Sequence, residues 1–150
     1  MKLLALFLLL LLTSCSGTRP THLGIQENGR FAPCPDKPNC VQSESQKEEH
    51  RFPTFRTTSD SSWVQLVKVI QEQPRTDVIS EKNQNYLHAE ATSALWRFVD
   101  DIEVILDKEQ LYFKSASRLG YSDMGVNRER LETLTKQLLT LKVIKPDSSL

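Results

Sequence analysis

Acidic and hydroxyl side chains in the second half of the chain could together form a small polar site. Asp100 shares one face of an alternating segment with apolar residues, and a facing segment places Ser117 opposite it and Ser115 diagonal to it. A carboxylate at the end of an apolar face must be hydrogen-bonded or paired with a cation. Asp100 could therefore bond to both serines and close one end of a sheet, which is the role we favour. The alternative is an acid or base in a small cleft.

Two arginines flank a loop that contains two glycines. Arg118 leaves the predicted sheet beside Asp101 on the polar face. Arg128 begins the last helix, for which Asn127 is the predicted N-cap, and a cation is unfavourable there unless an anion offsets it. Asp123 is the local anion, so we favour an arginine–aspartate lattice that holds the loop on the sheet. The alternative is an anion pocket made by both guanidinium groups and the free N–H groups of the helix.

Other catalytic, metal and nucleic-acid sites receive little support. Ser115 or Ser117 could form a hydrolytic triad with His88, but no Gly-X-Ser-X-Gly elbow surrounds either serine, and His88 is predicted to be an exposed strand residue. The histidines are scattered without metal-ligand spacing, so we predict no metal and no cofactor. The chain has 19 lysines and arginines against 19 aspartates and glutamates, which argues against a nucleic-acid-binding protein.

Apolar periodicity predicts the elements that would position these residues. Helical spacing covers residues 60–73 and the segment from Asn127 onward. Alternating patterns predict strands at residues 76–81, 86–92, 96–106 and 111–117. The last two form a hairpin whose register places Glu103 opposite Lys114 on a solvated face. We therefore predict an α+β fold: a single domain with about four antiparallel strands and two helices packed on one face.

The start of the chain is typical of an export signal. Lys2 precedes an almost purely aliphatic run at residues 3–12, which is too short to span a bilayer because a span needs about 20 residues. The small residues before Cys15 resemble the lipobox of bacterial lipoproteins, in which the cysteine is acylated and becomes the first residue of the mature chain. The resemblance implies a lipid anchor in the cell envelope. Ser16 resembles the sorting signal of Gram-negative outer-membrane lipoproteins, which face the periplasm.

The two remaining cysteines are predicted to form a disulfide. Cys34 and Cys40 are an even pair in a chain predicted to be exported, where disulfides persist. Two prolines stiffen the short loop between them and lower the entropy lost on closure. A metal or redox pair is the alternative, but no histidine is nearby in sequence and redox pairs usually have Cys-X-X-Cys spacing.

Two blocks of sequence together carry a family resemblance. The first block is CPDKPNCV at residues 34–41, and the second combines FVDDIE at 98–103, SASRLG at 115–120 and DMGVNR at 123–128. Their order and spacing resemble an uncharacterised bacterial family, the domain of unknown function fourteen-ninety-nine. The resemblance extends from about residue 31 to residue 139, and many members look like envelope lipoproteins. It implies a single envelope domain and brings no activity, substrate or catalytic residue.

These observations divide the chain into four parts. We predict a signal peptide at residues 1–14, a lipidated tether at 15–30, one α+β domain at 31–145 and a tail at 146–150. The expected function is a non-catalytic binding or scaffolding module, held on the membrane by its lipid, whose partner is an envelope protein or a small ligand. The alternative is a periplasmic hydrolase or anion-binding enzyme built on Asp100, Arg118, Asp123 and Arg128.

Overall fold

The alternating segments of the chain form a seven-stranded antiparallel sheet. The computed structural model describes residues 17–147. Its strands are β1 Cys40–Gln42, β2 Phe55–Thr57, β3 Thr76–Lys82, β4 Tyr86–Thr92, β5 Val99–Asp107, β6 Gln110–Ser117 and β7 Ile144–Pro146. The order is β3-β4-β5-β6-β2-β7, and β1 pairs with β6 beyond the end of β2. Four strands, β3 to β6, correspond to the predicted ones, and three further short strands extend the sheet.

Two α-helices, α1 (Ser62–Gln71) and α2 (Val126–Thr140), pack on one face of this sheet, as predicted. The prediction that Asn127 is the N-cap of α2 is wrong. Gly125 takes that position with φ 86°, a conformation that costs glycine little, and Asn127 lies buried in the first turn. The carboxylate of Asp123 accepts hydrogen bonds from the backbone N–H of Gly125 (3.0 Å) and of Asn127 (2.8 Å). It therefore does the work expected of a capping side chain.

The apolar core lies between the helices and the sheet. Val104 pairs with Leu87 on one side and with Phe113 on the other, and all three side chains are fully buried. The helices cover them with side chains at three- and four-residue spacing: Trp63, Leu66 and Ile70 from α1, and Leu131, Leu134 and Leu138 from α2. Each such side chain contributes about 1.5–3 kcal/mol on burial. The apolar stripe, rather than helix propensity, fixes both helices on this face.

The other face of the sheet is covered by residues 17–39, which we call the covering segment. The predicted pairing of Glu103 with Lys114 is confirmed, but the prediction that they face solvent is wrong, since they are only 1% and 3% exposed. Lys114 Nζ donates to the carbonyl oxygen of Ala32 (2.8 Å), and Glu103 accepts from the backbone N–H of Gly24 (2.7 Å). Phe31 joins a second apolar cluster with Tyr86, Ile105 and Tyr112.

The part of the covering segment predicted as a tether makes specific contacts with the sheet. Residues 17–30 form no helix or strand. Arg19 nevertheless pairs with Glu90 (2.6 Å), and Arg30 pairs with Asp107 (3.2 Å). Its composition did not indicate this docking, because the contacts are between residues about 70 positions or more apart.

The residues predicted to attach the protein to a membrane lie mainly outside the described range. The predicted signal peptide at 1–14 and the predicted lipidation site Cys15 lie outside the described residues, as does most of the predicted tail at 146–150. Within residues 17–147, no helix combines the length and the hydropathy that a bilayer span requires.

Candidate functional site

The predicted disulfide between Cys34 and Cys40 is confirmed, with 5.7 Å between the two Cα atoms. Cys40 lies in β1 and pairs with Ala116 of β6. The bridge therefore holds the loop between the cysteines against the polar face of the sheet, where Lys37 and Asn39 lie beside β6. A loop fixed in this way presents its side chains at constant positions.

Asp100 and the two candidate serines meet the start of α2 on the helix side of the sheet. Arg130 Nη2 donates to Asp100 Oδ2 (2.6 Å), and Arg130 Nη1 donates to Asn127 Oδ1 (2.7 Å). Ser115 Oγ also donates to Asn127 Oδ1, and Asn127 Nδ2 donates to Ser117 Oγ (2.9 Å). The predicted bonds from both serines to Asp100 are not observed, because Asn127 takes the serines and Arg130 takes the carboxylate.

Asp123 and Arg128, predicted to pair, take different partners. Asp123 caps α2, as described above, and also accepts from Asn127 Nδ2 (2.8 Å). Arg128 Nη2 donates to the backbone carbonyl oxygens of Glu49 and Arg51, at 3.0 Å each. The carbonyl oxygens of Glu49 and Arg51, rather than a carboxylate, therefore offset the positive charge of Arg128 at the start of the helix. Arg128 ties α2 to the chain that follows β1.

Arg118 is the centre of a buried ion-pair network on the opposite face. Its Nε and Nη2 atoms donate to both carboxylate oxygens of Asp101, at 2.9 and 2.7 Å, and Nη2 also bonds to Glu90. His88 Nε2 lies 2.7 Å from Asp101 Oδ1. The prediction that His88 is exposed is wrong: it is 4% exposed, because the covering segment lies over this face. We call these four residues the Arg118 network.

The network keeps its carboxylates ionised. Burial by itself would raise the pKa of Asp101, but hydrogen bonds from Arg118 and His88 outweigh it, and the pKa lies below its usual value. Burial also raises the pKa of Glu90, but hydrogen bonds from Arg118 and Arg19 outweigh this effect, so the pKa lies below its usual value. The hydrogen bond to Asp101, against the effect of burial, raises the pKa of Arg118. Carboxylates held in this way are poor proton-transfer groups at neutral pH.

Three members of the network also have the chemistry of metal ligands. One donor atom each from His88, Glu90 and Asp101 lies within 4.8 Å of the other two. Imidazole and carboxylate donors of this kind suit Zn²⁺. The Arg118 guanidinium, however, bonds to both carboxylates and already supplies the positive charge there. These residues therefore fit an internal ion-pair network better than they fit a metal.

A second buried polar group lies next to the network. Tyr86 Oη donates to Glu103 Oε2 (2.7 Å), and Lys114 Nζ lies 3.6 Å from Glu103 Oε1. Burial lowers the pKa of Lys114, although Glu103 opposes the shift. Burial, with the nearby Glu103 charge, raises the pKa of Tyr86 well above its usual value. Lys114 is thus a desolvated amine whose only ion-pair partner within 4 Å, among the described residues, is the Glu103 carboxylate.

A cavity of about 430 Å³ lies between the covering segment and this face of the sheet. Charged residues of β5, of β6 and of the position just after β6 line it: Asp101, Glu103, Lys114 and Arg118. Apolar residues form much of its wall: Pro20, Leu23, Ala32, Pro33, Pro35, Ala116 and Leu119. Asn39 also lines the cavity, and within residues 17–147 its buried Oδ1 atom has no hydrogen-bond partner. Cavities of this size and mixed lining are typical of small-molecule sites.

The candidate residues do not converge on one site. Successive side chains of a strand point to opposite faces of the sheet. The side chains of Asp100, Ser115 and Ser117 therefore lie on the helix side, and the sheet separates them from the Arg118 guanidinium. The anion pocket considered as an alternative is not assembled, since Arg118 bonds to Asp101 and Arg128 bonds to backbone carbonyl oxygens. The hydrolytic triad is not assembled either, because the serines bond to Asn127 on the helix side.

Several residues of the cavity and its surroundings were missed from the sequence. Strand pairing places Glu90 beside Asp101 and His88 beside Glu103, so the register of β4 on β5 could have indicated the network. No comparable signal exists for Arg130, whose contact with Asp100 depends on how α2 lies on the sheet. The covering segment was missed for the same reason, and with it the cavity.

Comparison with known families agrees with the resemblance drawn from the sequence. The family model described as protein of unknown function (DUF1499) matches residues 30–138. The matched range contains the disulfide, the Arg118 network and all the candidate residues of β5, β6 and the start of α2. Neither a curated protein nor a solved structure matches the chain. The chain therefore belongs to the DUF1499 family of proteins of unknown function.

Proposed function

We propose that this protein is a lipid-anchored bacterial envelope protein that binds a small ligand between its covering segment and its sheet, without transforming it. The observation that carries the proposal is the cavity of about 430 Å³, with charged residues on the sheet side and apolar residues around them. A site of this composition fits a ligand that has both a polar group and apolar surface.

Two polar groups in the cavity have bonding capacity to spare. The ammonium of Lys114 has three donors, and two contacts are observed, to Ala32 and Glu103. Asn39 Oδ1 is an acceptor without a partner among the described residues. An unsatisfied buried acceptor costs about 1–3 kcal/mol. A ligand acceptor such as an amide oxygen could use the spare donor of Lys114, whereas Asn39 Oδ1 has almost no accessible surface and would meet a ligand only after its side chain turns.

The arrangement supports binding rather than catalysis. Asp101 is held ionised by Arg118, and Asp100 is paired with Arg130 on the other side of the sheet. The hydroxyls of Ser115 and Ser117 are bonded to Asn127, although Ser117 also lies at the cavity wall. A candidate nucleophile and its base need to be within hydrogen-bond reach of each other. His88 and the serines, on opposite faces, do not meet that condition.

The lipid anchor rests on the resemblance of the residues before Cys15 to a lipobox. Stable anchoring needs more than one acyl chain, which lipoprotein modification would supply. The first described residue lies close to the cavity: a Cβ atom added to Gly17 would lie 3.0 Å from Arg118 Cβ and 3.1 Å from Leu119 Cγ. In this proposal the ligand site therefore lies near the membrane that holds the protein.

Photo-crosslinking in intact cells tests the ligand. A benzophenone amino acid replaces Lys37, which is exposed and lines the cavity, and in a control it replaces Lys68, which is exposed on α1. We expect intact-mass analysis to find an adduct of one defined small mass at position 37 and not at position 68. Ala116→Phe, which fills part of the cavity, should reduce that adduct in a protein whose circular dichroism is unchanged. The same adducts at both positions, or no defined adduct at 37, would contradict the proposal.

A further inference from the structure

Exposed apolar side chains are concentrated in two short segments of the chain. Of the eleven large apolar residues that are exposed among residues 17–147, seven lie in segments 95–98 and 119–126. The most exposed are Met124 (96%), Leu95 (78%) and Tyr121 (70%), followed by Trp96 (69%). Single exposed apolar residues need no explanation, but a concentration of them marks an interaction surface.

The two segments project from the same end of the sheet. Residues 93–98 connect β4 to β5, and the pairs Thr92–Val99 and Asp100–Ser117 place that turn next to the end of β6. The backbone N–H of Arg118 donates to the carbonyl oxygen of Val99 (3.3 Å). The chain that follows β6 therefore starts beside the turn between β4 and β5. We call segments 95–98 and 119–126 together the apolar end.

Polar bonds at the base of each segment hold its tip outward. Ser93 and Phe98 close the turn with two hydrogen bonds, from Ser93 N to Phe98 O (2.8 Å) and from Phe98 N to Ser93 Oγ (2.9 Å). In the other segment, Asn39 Nδ2 donates to the carbonyl oxygen of Gly120 (3.1 Å). The apolar side chains are thus presented by structured turns, which reduces the entropy lost when they bind.

The first described residue lies at this same end. Gly17 packs on Arg118 and Leu119, since a Cβ atom built on this glycine would lie within 3.1 Å of both side chains. Cys15 is two residues earlier, and two extended residues span at most about 7 Å. Acyl chains attached to Cys15 would therefore enter a bilayer close to the apolar end.

We propose that the apolar end docks on the lipid bilayer and inserts its tips into the interfacial region. The proposal rests on the lipid anchor of the proposed function, because the anchor brings this end to the membrane. The residue types fit the occupant. Trp96 and Tyr121 have the amphipathic rings that are enriched at membrane–water interfaces. Arg97 is exposed between Trp96 and Phe98, where its guanidinium can bond to lipid phosphate while its stem covers apolar surface.

Tryptophan fluorescence of the acylated protein on vesicles tests the docking. The full mature protein is reconstituted into vesicles of phosphatidylethanolamine and phosphatidylglycerol, with or without bromine near the headgroup end of the acyl chains. We expect bromine to quench most of the Trp96 emission, and the emission maximum to shift to the blue relative to protein in detergent-free buffer. The matched control is Trp96→Phe, in which only Trp63, 2% exposed in the core, emits and no quenching is expected.

A relocated tryptophan tests whether the orientation is specific. Val64 is exposed at the start of α1 and follows Trp63 in the sequence. Trp63 Nε1 donates to Glu81, which lies at the end of the sheet opposite the apolar end. In the Trp96→Phe background, Val64→Trp should be quenched by acrylamide in water and not by bromine in the lipid. Equal bromine quenching at positions 64 and 96 would contradict the proposed orientation.

The outcomes separate this proposal from the lipid anchor. Co-sedimentation with vesicles and the intact mass of the protein report whether Cys15 carries lipid. If the lipid is present and Trp96 remains quenched only from water, the docking proposal fails and the anchor stands. If Trp96 is open to water on vesicles but shielded in cells, a protein covers the apolar end and the docking proposal also fails. If Cys15 carries no lipid, the anchor fails first and the docking proposal fails with it.

Discussion

Replacing Arg118 with methionine should destabilise the domain strongly, because the substitution leaves two carboxylates without their cation. The side chain of Arg118 is 5% exposed, and those of Asp101 and Glu90 are 3% and 17% exposed. Methionine keeps much of the apolar stem but removes every N–H donor. Removing one partner of a buried ion pair costs about 3–5 kcal/mol, and the three bonds made by Arg118 place this case in that range.

The loss of stability caused by Arg118→Met should be larger at neutral pH than at acidic pH. In the wild-type protein the pKa values of Asp101 and Glu90 are lowered, so their contribution to stability is present above their unfolded pKa values and is lost as pH falls through the folded values. In Arg118→Met the main cause of the lowering is gone and burial favours protonation. The difference in unfolding free energy should therefore be largest near pH 7 and should narrow as the pH falls toward 4.

The assay is urea unfolding measured by far-ultraviolet circular dichroism. The disulfide is kept intact, and both proteins carry Cys15→Ala so that neither is lipidated. Arg56→Met is the matched control: Arg56 also pairs with a glutamate, Glu109, but both side chains are largely exposed, at 44% and 64%. We expect little change from that substitution, since surface ion pairs are weak. A loss of stability below about 1 kcal/mol for Arg118→Met, or a difference that does not change with pH, would show that Arg118 does not stabilise the buried carboxylates.

Three further predictions concern the same domain. Asp100→Asn should lower the free energy of unfolding by about 1–2 kcal/mol, because Arg130 loses a charged acceptor; an unchanged urea midpoint would contradict this role. Changing both Cys34 and Cys40 to serine should lower the free energy of unfolding by about 2 kcal/mol, and a thiol reagent should label neither cysteine of the purified protein before reduction. Zn²⁺ should raise the melting temperature of Arg118→Met and not that of the wild type, because the guanidinium no longer neutralises the carboxylates of Glu90 and Asp101; equal shifts in the two proteins would argue against this reason.

Local pattern was sufficient to predict the centre of the fold. The β5–β6 hairpin has the predicted register because its apolar and charged residues agree on one alignment, and the helices follow from apolar spacing. The short strands β1, β2 and β7 were not predicted, since three residues carry no periodic signal and their pairing with β6 or with each other is long-range. Alternation also separated the two faces correctly, but it gave no information on what covers the second face.

The candidate site was predicted only where neighbours on adjacent strands determine the contact. Alternation placed Arg118 beside Asp101, and the structure has them bonded. The partner of Asp100 was missed because Arg130 comes from a helix, and a helix's position on a sheet is not determined by local pattern. His88 was predicted to be exposed because a polar residue that alternates with apolar ones normally faces water; here the covering segment lies over it, and Asp101 satisfies it.

Whether the protein is lipid-anchored can be determined by intact-mass analysis of the chain purified from the membrane and the cytosolic fractions of its native host. We expect a chain that begins at Cys15 and carries covalently attached acyl groups, and we expect Cys15→Ala to remove both the acyl groups and the retention at the membrane. A full-length chain that begins at Met1, carries no lipid and is recovered from the cytosolic fraction would contradict this expectation.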